Sequence, residues 1–207
     1  MLISENPKFI FVHIYKNAGT SITSALLPIA ASWWQIQFSS LFRKLNILLP
    51  PQPFLKHVSA SYIIDAIGVR EFESYFSFAF VRNPWDWQVS LYEYMLKTPT
   101  HRQHQLIKGF SDFKTYLQWR CEYNVTFQRD FICSPDGRVL VDFVGRFERI
   151  EENFQKICTE LGICVPLPRE NVSRSAPYQN YYDAESIELV KTTFKADIEH
   201  FGYQFET

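Results

Sequence analysis

The sequence feature that most constrains the fold is an apolar segment that runs directly into a small-residue turn and a helix. Residues 8–14, KFIFVHI, are nearly all apolar, as expected of a strand covered on both faces in a parallel sheet. The turn YKNAGTS follows at once, and residues 20–30 then show helical spacing. Main-chain N–H groups of such a turn, together with the helix dipole, favour a bound anion. The stretch therefore predicts an α/β sheet with an anion site where this strand ends.

A second strand–turn–helix junction follows further along the chain. Residues 75–81 form the predicted strand, Arg82 ends it, and Pro84 stands where a proline opens a helix over residues 85–97. Ser90 follows about two helical turns after the arginine. An arginine at a strand end and a serine on the next helix can hold one phosphate from two sides. Two such junctions in one α/β sheet predict a ligand crevice at the carboxyl ends of the strands.

The remaining elements alternate helices with strands, which favours one α/β domain over residues 1–207 with a central, mostly parallel sheet flanked by helices. Periodicity and turn residues predict one further strand at 138–144. They also predict helices at 59–68, 112–121, 148–161 and about 184–200.

Composition restricts the partners that the chain can take. The formal net charge is −1, so a nucleic-acid partner is weakly supported. The longest apolar stretch, residues 45–51, is too short to span a bilayer, and the amino terminus lacks the pattern of a signal peptide. We therefore expect a soluble cytoplasmic protein of bacterial type, or a protein of the Golgi lumen if the sequence is trimmed. The four cysteines lack zinc-site spacing and predict reduced thiols.

The YKNAGTS turn differs from the phosphate-binding loop of nucleotide triphosphatases. The pattern G-x-x-x-x-G-K-[ST] is absent, because here the lysine precedes the glycine. No obvious carboxylate for Mg²⁺ follows a later strand. A P-loop nucleotide kinase therefore remains only as an alternative, and it predicts dependence on ATP and Mg²⁺.

The two junctions together resemble the cofactor-binding motifs of sulfotransferases that use 3'-phosphoadenosine 5'-phosphosulfate (PAPS). IYKNAGTS is similar to the first motif of the carbohydrate sulfotransferases, and FVRNPWDWQVSLYEY is similar to the second over a longer, more specific stretch. Weaker similarity continues through LKHVSA, LVDFVGRFE and RENVSRSAPY and covers most of the chain. The chain thus resembles carbohydrate O-sulfotransferases, including the 2-O-sulfotransferases of glycosaminoglycans and compact bacterial members.

The resemblance implies a three-layer, P-loop-like fold and a role for each motif. The 3'-phosphate of PAPS would be held by Arg82 and Ser90, and a loop with Ser173 and Arg174 would close over the nucleotide, although ordinary surface ion pairs remain the alternative for this loop. Tyr15 departs from the family, which usually has proline there. The residues implied for the 5'-phosphosulfate are Lys16, Asn17, Ala18, Gly19, Thr20 and Ser21.

Sulfuryl transfer moves SO₃ from the phosphosulfate to an acceptor hydroxyl, which the resemblance implies is on a carbohydrate. By analogy with phosphoryl transfer, positioning and electrostatics do the work, and a metal ion is not required. Negative charge builds on the oxygen that bridges phosphorus and sulfur, so Lys16 is the expected catalytic cation. The acceptor must also lose a proton, and His57 is the expected base because its place resembles that of the histidine base in the 2-O-sulfotransferases. A helix-start role for His57, with an Asp or Glu as base, remains open.

No catalytic or metal-binding role is expected for the other four of the five histidines. His13 reads as a core residue of the first strand, and His200 as a structural residue near the carboxyl terminus. His101 and His104 fit a polar surface loop better than a metal site. A non-catalytic nucleotide- or sugar-binding module of the same fold also remains open, because Tyr15 and Asn17 depart from the family motif. The sequence gives neither the acceptor nor the oligomeric state.

Overall fold

The computed structural model describes residues 1–30, 57–168 and 176–206. Its strands are β1 (Leu2–Glu5), β2 (Lys8–Val12), β3 (Phe76–Val81) and β4 (Phe143–Arg146). Its α-helices, numbered in the order described, are α1 (Gly19–Ala30), α2 (Ala60–Ile67), α3 (Val69–Phe72), α4 (Pro84–Lys97), α5 (His104–Lys108), α6 (Phe113–Tyr123), α7 (Arg129–Ile132), α8 (Ile150–Glu160), α9 (Ala184–Thr193) and α10 (Lys195–Phe201). Two 3₁₀ helices span Phe147–Arg149 and Tyr178–Tyr181.

The strands of the described residues form one mixed sheet in the order β1-β2-β3-β4. β1 runs antiparallel to β2, whereas β2, β3 and β4 are parallel to one another. Phe11 lies opposite Phe78, which in turn lies opposite Phe143. Strands of this kind are apolar along their whole length because both faces are covered. The predicted α/β fold with a central, mostly parallel sheet is confirmed.

Helices α1 and α8 pack with the sheet into one hydrophobic core. Its most buried members are Leu2, Phe9, Phe11, Ile22, Leu26, Phe78, Phe80, Ile157 and Cys158. Gly145 of β4 lies against the ring of Phe80, and a Cβ at this glycine would stand 2.6 Å from that ring. The glycine is therefore required by the close approach of the two strands.

The chain divides into two compact units. The first comprises the described residues of Met1–Val81 and Asp130–Glu170, and the second comprises those of Arg82–Arg129 and Asn171–Thr207. The second unit has its own core, in which Trp87 and Tyr116 are fully buried. There the Trp85 indole donates to the Ile187 carbonyl at 3.1 Å, and the Tyr182 hydroxyl donates to the Trp85 carbonyl at 2.8 Å. A single domain over residues 1–207 stays a prediction.

The predicted elements are confirmed where their signals are local. Ser59 caps α2 by accepting from the Tyr62 N–H, and Asp112 caps α6 by accepting from the Thr115 N–H. The strand predicted at 138–144 was wrong in its bounds, because the Asp142 carboxylate accepts from the main chain and hydroxyl of Ser77 and β4 begins only after it. The helix predicted at about 184–200 is interrupted at Phe194. Within the described residues, no helix is long and apolar enough to cross a membrane.

Candidate functional site

The turn between β2 and α1 has an uncommon backbone. Lys16 has φ 64° and Ala18 has φ 57°, both in the left-handed region that few non-glycine residues adopt. Asn17 between them has no positive φ, so the sign of φ alternates along the turn. Such alternation directs successive N–H groups to one side and makes an anion-binding concavity. Each left-handed residue costs about 1–3 kcal/mol and persists only where the surroundings hold it, as they often do at functional sites.

Asn17 holds this turn against the sheet. Its side chain is 1% exposed, and its Nδ2 donates to the carbonyl of Phe80 on β3 at 2.8 Å. The helix begins two residues later, at Gly19, and the Ala18 carbonyl before it accepts from the Ile22 N–H at 3.1 Å. The loop is thus fastened on both sides, which accounts for the asparagine that departs from the family motif.

Gly19 opens α1 at a point where a side chain has no room. A Cβ on Gly19 would lie 1.7 Å from Nε2 of His13, so the imidazole ring occupies that position. The φ of this glycine is not left-handed, and the close approach alone requires it. His13 is half-buried and follows the end of β2. The expectation that His13 is a core residue of the strand was therefore wrong.

His57 is exposed and lies beside the same turn. Its Nδ1 is 3.1 Å from the main-chain carbonyl of His13, which can only accept a hydrogen bond. The proton of the neutral ring therefore sits on Nδ1, and Nε2 carries the lone pair. The ring centroid lies 4.7 Å from that of His13 and 5.6 Å from that of Tyr15, both edge to face. The structure thus brings the expected base to the predicted loop, with Nδ1 as the donor to the His13 carbonyl.

The remaining residues of the turn differ in exposure. Lys16 and Ala18 are half-buried, Thr20 is exposed, and Ser21 is buried. Tyr15 also meets the ring of Phe131, with centroids 5.8 Å apart. The tyrosine that replaces the family's proline therefore packs edge to face on both His57 and Phe131.

Arg82, the residue after β3 in the chain, is held by a buried network within the second unit. Its Nε donates to the Asp86 carboxylate at 2.6 Å, with side chains only 6% and 8% exposed. Its main-chain N–H donates to Gln128 Oε1 at 2.9 Å, and Gln128 Nε2 donates back to the Arg82 carbonyl at 2.7 Å. The Asp197 carboxylate then accepts from the Gln128 N–H at 2.7 Å. Arg82 therefore stands in a defined place, with its main chain and guanidinium fixed by separate partners.

The helix that follows Arg82 begins as the sequence predicts. Asn83 Oδ1 accepts from the Trp85 N–H at 3.1 Å, and Pro84 occupies the first turn. Ser90 lies on this helix and is buried. Gln128 and Asp197, which support Arg82, were not identified from sequence, because nothing local distinguishes a buried glutamine or aspartate from a surface one.

Ser173 and Arg174 lie outside the described residues. His104 is buried, with Nδ1 2.9 Å from the Met95 carbonyl, so its assignment to a surface loop was wrong. Among residues 1–30, 57–168 and 176–206, no cluster of three or more His, Cys, Asp or Glu could hold a metal ion.

Comparison with known proteins gives three findings. Residues 1–204 match the profile of the sulfotransferase family. An uncharacterized protein from Archaeoglobus fulgidus is 28% identical over 103 residues, which cover 49% of this chain and 79% of that protein. The crystal structure of mouse sulfotransferase SULT7A1 complexed with PAP is similar with a TM-score of 0.57 and 16% identity, over 95% of this chain and 86% of the other. At this identity the likeness shows the fold, and the predicted P-loop-like architecture is confirmed.

Proposed function

The chain belongs to the sulfotransferase family, and we therefore propose that it transfers the sulfuryl group of PAPS to a hydroxyl of a carbohydrate. The observation that carries the proposal is the turn at residues 15–19, where Lys16 and alternating φ angles precede a helix start. Such a turn suits a doubly charged phosphosulfate. Family membership argues against the kinase alternative, since a kinase transfers a phosphoryl group.

The proposed nucleotide contacts follow the two motifs. Lys16 and the N–H groups and hydroxyls of residues 17–21 bind the 5'-phosphosulfate, while Arg82 and Ser90 bind the 3'-phosphate. Ser173 and Arg174 belong to the loop that closes over the nucleotide. The PAP complex of SULT7A1 supports the choice of nucleotide, since a PAPS-dependent transfer leaves PAP as product.

In the proposed reaction, the acceptor oxygen attacks sulfur while the bond from sulfur to the bridging oxygen breaks. The electron pair of that bond stays on the phosphate, where the Lys16 ammonium stabilises the new charge. Nε2 of His57 takes the acceptor proton, since the Nδ1 side is already hydrogen-bonded to the His13 carbonyl. The products are a sulfate ester and PAP, and no metal ion takes part.

The proposed acceptor is a carbohydrate. It is supported by the position of His57, which resembles that of the base in the 2-O-sulfotransferases, and by the half-buried rings of Tyr15 and Phe131 beside it. A screen of sugars and simple alcohols with labelled PAPS tests this choice, and exclusive transfer to non-sugar alcohols would refute it.

We also propose a cytoplasmic location, which cell fractionation tests.

The decisive experiment combines calorimetry of PAP binding with turnover of Lys16→Ala. We expect the unchanged protein to bind PAP and the variant to lose about 10²–10³-fold in kcat, because it lacks the cation at the developing charge. Lys114→Ala is the matched control, since it removes a lysine that is paired elsewhere. Absence of PAP binding would overturn the proposal. PAP binding without transfer to any acceptor would instead support the non-catalytic module.

A further inference from the structure

The side chain of His13 contacts two parts of the candidate site at once. Its ring fills the space where a Cβ of Gly19 would stand, at the first position of α1. The same ring meets the His57 ring edge to face, with centroids 4.7 Å apart and an interplanar angle of 61°. One imidazole therefore touches both the helix start proposed to hold the sulfuryl group and the residue proposed to take the proton.

Residue 13 holds His57 in two separable ways. The main-chain carbonyl receives the Nδ1 proton of His57 across 44 positions of sequence, and every amino acid at position 13 would supply that carbonyl. The ring contact, in contrast, depends on the side chain. A hydrogen bond at one ring atom does not by itself fix the tilt of a ring, and the edge-to-face contacts of the His57 ring with the rings of His13 and Tyr15 restrict that tilt.

We infer that His13 is a positioning residue, whose ring sets the distance and tilt between Nε2 of His57 and the sulfuryl group at the start of α1. This inference rests on the proposed function. A general base must lie within hydrogen-bond reach of the proton that it removes, and a misplacement of about 1 Å costs on the order of 10²-fold in rate. His13 acts by shape: it neither accepts the acceptor proton nor contacts the leaving phosphate.

The first test measures kcat, acceptor KM, PAP affinity and Tm for two variants. His13→Ala is expected to lower kcat about 10–100-fold and to leave PAP affinity within about threefold, because the turn keeps its main-chain fastening. His13→Leu fills a similar volume without a ring nitrogen, and it is expected to retain kcat within about tenfold of the unchanged protein. His200→Ala, at an exposed histidine of α10, is the control for loss of an imidazole.

The second test is a double-mutant cycle with Gly19. Gly19→Ala is expected to weaken PAP binding at least tenfold and to lower Tm, since its Cβ would collide with the His13 ring. Adding His13→Ala removes the obstacle and is expected to return PAP affinity to that of His13→Ala alone. The two substitutions are therefore strongly non-additive, as contacting residues should be.

The two tests separate failure of the positioning role from failure of the proposed function. A normal kcat in His13→Ala, or a cycle in which the two effects simply add, overturns the positioning role alone. His13→Leu with kcat as low as that of His13→Ala, at normal PAP affinity and Tm, also overturns it, because the ring nitrogens would then be essential. Absence of PAP binding by the unchanged protein overturns the proposed function and this inference with it.

Discussion

Arg82 and Asp86 form a buried ion pair, and this pair determines how the proposed role of Arg82 can be tested. The pair uses Nε, one of the five donors of the guanidinium, and both side chains are less than a tenth exposed. Removing one partner of such a pair costs about 3–5 kcal/mol, because the other charge loses its compensation inside the protein. A fall in nucleotide affinity in Arg82→Ala alone would therefore mix binding with stability.

Comparison of Arg82→Ala with the double variant Arg82→Ala/Asp86→Ala separates nucleotide binding from stability. We expect the single variant to lose about 3–5 kcal/mol of unfolding free energy and the double variant to regain much of it. PAP affinity should stay low in both, because the cation for the 3'-phosphate is absent from both. Urea unfolding and calorimetry measure the two quantities. Recovery of PAP affinity in the double variant would contradict the assignment of Arg82 to the phosphate.

The residues of the candidate site were predictable from sequence where charge and local pattern mark them. Local pattern marks the positions of Lys16 and Arg82 at a turn and a strand end, and the family resemblance marks His57, while the roles of all three stay proposals. The contact of His13 with Gly19 could not be predicted, since an apolar run with one histidine predicts a core residue. The hydrogen bond from Asn17 to the Phe80 carbonyl joins positions 63 residues apart, and the periodicity of a sequence does not predict contacts between residues so far apart.

At the scale of elements, Asp183 joins the start of α9 to α6. Its carboxylate accepts from the Ser186 N–H at 2.8 Å, and Lys114 of α6 donates to it at 2.9 Å. The Ser186 N–H, then Lys114, hold the pKa of Asp183 well below its usual range. A carboxylate whose pKa is lower in the folded state contributes stability above its unfolded pKa. That contribution is lost as pH falls through the folded pKa.

The prediction for this element is a change in acid stability on Asp183→Asn. Asparagine also caps helices, but it carries no charge for Lys114 and does not titrate. We expect the variant to be less stable than the unchanged protein at pH 7, and its Tm to fall less steeply below about pH 4. Glu185→Gln is the control, since it removes the other carboxylate that pairs with Lys114 without changing the cap. Parallel Tm curves for Asp183→Asn and the unchanged protein would contradict the linkage.

The elements themselves were predictable in proportion to how local their signals are. The apolar run of β3 and the proline at the start of α4 determine those elements within a few residues. β1, only four residues long, carries no comparable signal. The start of β4 depends on the hydrogen bond between Asp142 and Ser77, and the break between α9 and α10 depends on the complete burial of Phe194. Both are features of the tertiary structure.

At the scale of the whole molecule, the two units are not successive halves of the chain. Each is assembled from separate segments, and the polypeptide passes from one unit to the other after Val81, Arg129 and Glu170. The family match over residues 1–204 includes segments of both units. Because neither unit is a continuous piece of chain, we propose that residues 1–207 unfold as one domain.

The corresponding prediction is a single calorimetric transition that PAP shifts upward. At PAP concentrations near 100 times Kd the added stability is about 2.7 kcal/mol, which corresponds to roughly 5–10 °C in Tm for a chain of this length. A chelator should change neither this shift nor turnover, whereas a kinase would require Mg²⁺. Two transitions, of which PAP moves only one, would contradict the single domain.

The hydrogen bond from His57 to the carbonyl of His13 has an evolutionary consequence. A mutation changes the side chain at position 13, but every amino acid at that position has a main-chain carbonyl. The hydrogen bond to Nδ1 of His57 is therefore available whichever residue stands at position 13, so substitutions there would leave Nε2 as the proposed proton acceptor and alter only the rate. In laboratory evolution toward new acceptors, substitutions at position 13 are accordingly expected to change the rate of transfer, while the main-chain carbonyl continues to accept from Nδ1 of His57.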